Sequence, residues 1–291
     1  LFASLAFKID LGIPKPSTKK HIKRRKSILI FVSDKDEESP LRKNLACLIA
    51  AAVVAASLVV ANPAAKTRDE VVESIWTHTG GKSAFQSARY LKFTWAVEKD
   101  GRTLRTRRHL WDRYTGQYVL ETPDGQSGDA LTVYFNVNDK TGKAFNAGEL
   151  LTGSDAAEAI ENAYAAFIND TYWLIAHVKL EDPGVNVSVE TDDAAENGKS
   201  HSVLHLTFDG VGLTPGDQYW LYVDSTGRVT RWRFLLQSGQ EGDFEWKDER
   251  DCGMGLRFAT NKVSADGTFR IHFPDATFTR SVPPGAFDPP K

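Results

Sequence analysis

Cysteine is nearly missing from this chain. Of 291 residues only Cys47 and Cys252 are cysteines. No CxxC pair and no Cys/His spacing of a zinc site occurs. Catalytic signatures are equally scarce: there is no GxSxG elbow, no HExxH and no P-loop, and Gly125-Gln126-Ser127-Gly128 lacks the elbow's spacing. Positive charge runs short beyond residue 61. Residues 1–61 hold 11 of the 36 Lys and Arg but only 5 of the 38 Asp and Glu, which leaves 25 basic against 33 acidic residues and a net charge of −8. That balance argues against a nucleic-acid partner, which needs a positive footprint. With Cys252 alone remaining in that part, an internal disulfide is excluded and the domain must hold itself by its core.

What is present is a long apolar run. Arg42 and Lys43 precede an uncharged stretch from Asn44 to Ala61, rich in Ala, Val and Leu, with Val59 and Ala61 placed as small residues before a cut. A basic n-region, an apolar h-region and a small-residue site read as a secretory signal over residues 42–61. Cys47 lies near the start of the run, where a lipidated cysteine is not expected, and reads as a small apolar residue. An uncleaved anchor of this length is near the lower limit for a membrane span and presents the same domain to the same compartment. Residues 1–41, with the basic run Lys19–Lys26, read as a disordered upstream extension and are set aside.

The remaining part divides into a domain, residues 62–281, and a Pro/Gly-rich tail, 282–291, expected to run as an extended coil. Thr67 and Glu70 form a capping-box pattern ahead of Val71, Val72, Ile75 and Trp76, and Gly80-Gly81 ends that helix. The period then changes to two: Leu91, Phe93, Trp95 and Val97 alternate with Tyr90, Lys92, Thr94 and Ala96, Asp100-Gly101 marks a tight turn, and an arginine-rich strand follows to Trp111. Further alternating segments, joined by Asp112–Gly116 and Pro123-Asp124-Gly125, make an antiparallel meander. One helix interrupts it, with Ile160, Ala163, Tyr164, Phe167 and Ile168 at helical spacing and Thr152 with Asp155 as its expected cap. Strands resume from Val185, with hairpin turns at Asp224–Gly227 and Asp266-Gly267. The expected fold is mainly β (α+β), an open half-barrel of about ten or eleven antiparallel strands with an internal helix.

The segments Trp111–Tyr118 (WDRYTGQY), Asp170–Ile175 (DTYWLI), Lys179–Val185 (KLEDPGV), Gly210–Asp224 (GVGLTPGDQYWLYVD) and Leu221–Trp232 carry a resemblance. Together with the order of elements, they make the chain similar to the LolA/LolB-like superfamily of periplasmic lipoprotein carriers, and within it to a family of secreted bacterial proteins. The resemblance covers most of residues 67–280. It implies a strongly curved, incomplete barrel enclosing an apolar cavity for acyl chains. It assigns no residue to contact with a lipoprotein.

All seven Trp lie beyond residue 61, which suits either a large sheet core or a ligand cavity. On the ligand reading, Trp95, Trp111, Tyr118, Tyr164, Phe167, Tyr172, Trp173 and Trp220 line the cavity, and Arg105 and Arg107, on one strand face, hold a head group. The plainer readings are ordinary core for the aromatics and a solvated face for the arginines. His109 shares the arginine face and reads as a surface histidine. His201 and His205 stand too far apart on a strand to share a metal, and Cys252 reads as a half-buried strand cysteine. No metal and no cofactor is expected. The function this favours is non-catalytic binding or carriage of a lipid, a lipoprotein acyl chain or another lipophilic molecule by a monomer in a bacterial periplasm, with transient membrane association. Two alternatives stay open: an envelope-assembly protein with a filled barrel, and a secreted hydrolase using Asp170, His177 or His109.

Overall fold

A computed structural model describes residues 66–123, 130–191, 201–210 and 213–290. The expected signal, the Gly125–Gly128 segment, Asp124 of the predicted turn, and Val211 and Gly212 of the quoted motif lie outside the described residues. So does the upstream extension.

Helix α1, Arg68–Thr79, starts as its sequence directs. The Thr67 hydroxyl accepts from the Glu70 N–H, and Glu70 Oε2 accepts from the Thr67 N–H at 2.7 Å, which closes the capping box. Gly80 ends the helix at φ 111°, and a Cβ there would stand 2.3 Å from the Gly255 carbonyl oxygen. Only glycine satisfies both conditions. A short helix α2, Lys82–Ser87, follows.

Among the described residues fourteen strands form one sheet. The first meander is β1 (Tyr90–Lys99), β2 (Arg102–Asp112), β3 (Gln117–Thr122), β4 (Leu131–Asn136), β5 (Gly142–Asn146) and β6 (Glu149–Leu150). Helix α3, Gly153–Ile175, and a 3-10 turn, Ala176–Val178, come next. The second meander is β7 (Val185–Thr191), β8 (Ser202–Phe208), β9 (Gln218–Val223), β10 (Val229–Leu235), β11 (Glu241–Asp251), β12 (Arg257–Ser264) and β13 (Phe269–His272). β13 pairs antiparallel with β1, which joins the two meanders, and β14 (Ala276–Thr279) pairs with the first half of β1. Among the described residues the sheet is open: β6 ends it on one side and β7 on the other.

The expected count of ten or eleven strands is too low. β5, β6 and β14 are short segments whose alternation is too brief to stand out. The Asp100-Gly101 hairpin forms as predicted, with both residues at positive φ. Thr152 is the N-cap of α3 but makes no side-chain cap bond, so the expected cap pairing is absent. The tail is not simply extended: Ala286 N–H bonds Pro283 O, Asp288 N–H bonds Gly285 O, and the Phe287 ring lies against Tyr90. Cys252 lies just past β11 and is buried, not half-buried in a strand. Among the described residues no helix is long and apolar enough to cross a membrane.

The sheet wraps α3. Phe167 packs edge-on against Tyr118 of β3 at 4.8 Å, and Tyr172 packs against Tyr219 of β9 at 5.9 Å. β3 and β9 are seven strand steps apart in the sheet order, about 34 Å in a flat sheet. Phe167 and Tyr172 are only about 7.5 Å apart along the helix axis. One helix touches both walls because the sheet bends round it. Every residue from Ala166 to Val178 is accordingly buried, so this stretch has no solvent face to be amphipathic about.

Removing a ring from this contact leaves a cavity that the surrounding rings cannot close. Trp173→Ala should cost about 3–5 kcal/mol in urea unfolding, whereas Trp220→Ala, on the outer face, should cost under about 1 kcal/mol. Equal losses would contradict the inside–outside assignment.

Candidate functional site

The inner face of β2 presents Arg107, His109 and Trp111 toward α3, because these alternate residues pair with inward-facing Trp95, Phe93 and Leu91 of β1. Asp170 of α3 points down onto them and is 0% exposed. Arg107 Nη2 donates to Asp170 Oδ1 at 2.7 Å, and its Nε stands 2.7 Å from Oδ2. Asn169 Nδ2 donates to Oδ1 at 2.7 Å. His109 Nε2 lies 3.1 Å from Oδ2, and His109 Nδ1 lies 2.8 Å from the Tyr118 hydroxyl. The contacts to Oδ2 are short but outside hydrogen-bond geometry, so that of Arg107 Nε acts through charge and that of the His109 ring as a polar contact. The Trp95 ring lies under the guanidinium at 4.3 Å, and Phe93 stacks on the His109 ring at 4.3 Å.

Burial alone would raise the Asp170 pKa. The Arg107 guanidinium, with His109 and Asn169, more than offsets this and holds the carboxyl below its usual 3.8. Burial pushes His109 down from 6.5 despite the pull of Asp170, so the imidazole is neutral at pH 7. The carboxylate favours the tautomer with the proton on Nε2, and the Tyr118 hydroxyl then donates to Nδ1. Burial also lifts the Tyr118 phenol well above 10. The result is an Asp–His–Tyr chain with an arginine counter-ion, sealed beneath a helix. It has the parts of a proton relay but no open face at which a substrate meets it, and its evident action is to fix α3 against β2.

A second buried centre lies at the end of α3. His177 stands edge-on to Trp246 and Phe258, each at 5.2 Å, and its Nδ1 has no hydrogen-bond partner. Lys262 of β12 is 0% exposed, places Nζ 3.6 Å from the Trp246 ring centroid and donates to Ala259 O at 2.6 Å. Burial, with the nearby Lys262 charge, lowers His177 to about 3. Burial likewise holds Lys262 well below 10.5.

The expected site residues divide accordingly. Trp95, Trp111, Tyr118, Phe167, Tyr172 and Trp173 are brought together, but around α3 and against one another. Trp111 meets Phe167 at 5.1 Å, and Trp173 meets Trp232 at 4.5 Å and Phe244 at 5.0 Å. Tyr164 is half-buried at the helix surface under Lys140 Nζ. Trp220 lies on the outer face, stacked on His205 at 4.7 Å, because it pairs between His205 and Arg233 rather than with the inward set. Arg107 is no head-group holder at a rim: Asp170 occupies it. Arg105 is exposed further along the same face. His109 is buried, not a surface histidine, because its strand position faces the helix. Asp170 and His177, close in sequence, serve different clusters; of the residues named for the hydrolase alternative, Asp170 and His109 come together and His177 stands apart. Lys262 and Asn169 escaped notice in the sequence; the only signal for Lys262 was a lysine at an inward position of an alternating strand.

The chain matches no protein-family model and no curated protein.

Two outcomes follow for these centres. Asp170→Asn leaves Arg107 buried without its charge partner and should cost about 3–5 kcal/mol, while Asp170→Leu combined with Arg107→Met should cost less than either single change; chemical denaturation of the four chains decides it. The second concerns pH. His177 is depressed in the folded state, so the unfolded chain binds the extra proton, and stability should fall as pH drops below 6.5 toward about 3, by about 1.4 kcal/mol per pH unit for this one group. His109 acts in the same direction below 6.5. Asp170 adds a loss as pH falls through its depressed folded value. His177→Phe should flatten the curve between pH 6.5 and 4; an unchanged slope would contradict a neutral buried His177.

Proposed function

We propose that this is a non-catalytic, exported binding protein for a lipophilic molecule, with the LolA/LolB-like carrier architecture, and that the guest lodges between α3 and the aromatic inner wall. The observation that carries the reading is a set of buried polar atoms at that interface without hydrogen-bond partners among the described residues: Nε1 of Trp95, Trp232 and Trp246, the Tyr172 hydroxyl and Asn169 Oδ1. A core built only for stability leaves few such groups unpaired, since each costs about 1–3 kcal/mol. An aromatic wall that keeps several of them suits a face made to receive a guest with both apolar and polar parts. Apolar guest surface would contribute roughly 25 cal/mol per Å² removed from water. Export is read from the Arg42–Ala65 segment, whose basic and apolar regions support delivery to a periplasm or outside the cell.

A second reading has its own observation. α3 already fills the concave face, which is what an assembly protein with a filled barrel requires. The two readings separate on one experiment. The full chain is expressed in a bacterium, the delivered form is isolated, and its extract is analysed by native mass spectrometry before and after addition of a photoreactive fatty acid. Co-purifying lipid, or cross-links confined to α3 and the wall residues Trp95, Trp232 and Trp246, is the expected result. A bare mass with no uptake removes the carrier reading and leaves the filled barrel.

A further inference from the structure

Among the described residues β7 ends the sheet on a seven-residue strand, VNVSVET, with neither proline nor lysine to blunt it. Such an edge offers a row of unpaired backbone groups. The parity of that row is fixed. The Asp209 N–H donates to Gly184 O at 2.9 Å, and the β7–β8 register continues as Val185↔Phe208, Asn186↔Thr207 and onward. Even-numbered residues of β7 therefore bond to β8, and odd-numbered residues direct their N–H and C=O groups away from it. Val185 agrees: its N–H bonds Asp182 O at 3.1 Å instead of a β8 carbonyl. Val187, Val189 and Thr191 hold the outward set, together with the Val185 carbonyl.

The side chains along this edge are self-complementary. Val185, Val187 and Val189 share the inner face and are half-buried, while Asn186, Ser188 and Glu190 are exposed on the outer face. We propose that β7 pairs antiparallel with β7 of a second copy of this chain, about a two-fold axis through Ser188 and perpendicular to the sheet. In that register Val187 lies opposite the partner's Val189, and both are outward-bonding residues. Val185 lies opposite the partner's Thr191, which lets the Val185 carbonyl accept. Asn186 faces the partner's Glu190, so no like charges meet across the axis. Half-covered valines cover one another. Shifting the axis by one residue in either direction sets residues of the outward row on the axis and uses fewer of them.

Ser188 then sits opposite the partner's Ser188 in a non-hydrogen-bonded pair, with Cα atoms about 4.5 Å apart, inside the range a disulfide spans. Asn186 lies four residues, about 13 Å, from its own copy. The test uses the full chain with Cys47→Ser, in mild detergent under air oxidation, read on non-reducing gels. Ser188→Cys should give at least tenfold more linked dimer than Asn186→Cys. A mixture of Asn186→Cys and Glu190→Cys chains should link to each other. Val187→Pro removes an outward N–H and no bond to β8, so it should abolish the Ser188→Cys link while leaving the circular dichroism and melting of the chain in place. A Ser188→Cys chain that stays monomeric, or that links no better than Asn186→Cys, overturns the proposal.

Discussion

The interior depends on one charge placed where charge is costly. Asp170 is wholly buried on a helix that the sheet surrounds, and Arg107 and His109 on β2 hold it. Apolar contact alone does not fix such a helix. A stretch buried on all sides, with rings above and below, can slide or turn with modest loss because ring-on-ring packing is adaptable. A carboxylate that must meet a guanidinium allows one setting. Once Asp170 is set, Phe167 lies one turn back against Trp111 and Tyr118, and Tyr172 and Trp173 lie within a turn ahead against Tyr219, Trp232 and Phe244. The ion pair contributes position more than energy, which is the use buried pairs serve best.

The sequence showed the two meanders clearly and the interior poorly. Alternation in β1 and the turn chemistry of Asp100-Gly101 and Asp224–Gly227 are local, and each formed as read. The capping box at Thr67 and Glu70 is local too. The failures are those that only long-range placement decides. His109 looks like a surface residue until β2 is known to face α3. Trp220 looks like every other tryptophan, because type does not reveal face. Its neighbours do: Tyr219 and Leu221 alternate inward, which leaves Trp220 out. Asp170 reads as a polar residue beside aromatics, and nothing within ten residues on either side announces a cation that lies on β2. Short β5, β6 and β14 carry too few residues to show a period.

The second buried centre shows what the fold tolerates. Lys262 keeps its amine over the Trp246 ring and one carbonyl, with no carboxylate bonded to it among the described residues. Its folded form resists protonation, so it withdraws stability at every pH below its ordinary value of 10.5. An aliphatic side chain in its place would remove that loss. A residue that weakens a core in this way has either a role or a history, and its nearness to unpaired His177 Nδ1 and Trp246 Nε1 puts it in the same poorly satisfied region as the proposed guest face.

The two ends of the described sheet are not equivalent, and this asymmetry follows from how an open sheet manages its edges. A closed barrel has no edge; an open one has two. β6 meets the constraint by brevity, with two residues that give an approaching chain almost no ladder to copy. β7 does not. It is long, its valines are only half covered, and its outward backbone row runs nearly unbroken from Val187 to Thr191. Among the described residues no strand pairs beyond either end of the sheet. Of the two described edges β7 is the longer and less blunted, so it is the edge at which a further strand has a ladder to copy.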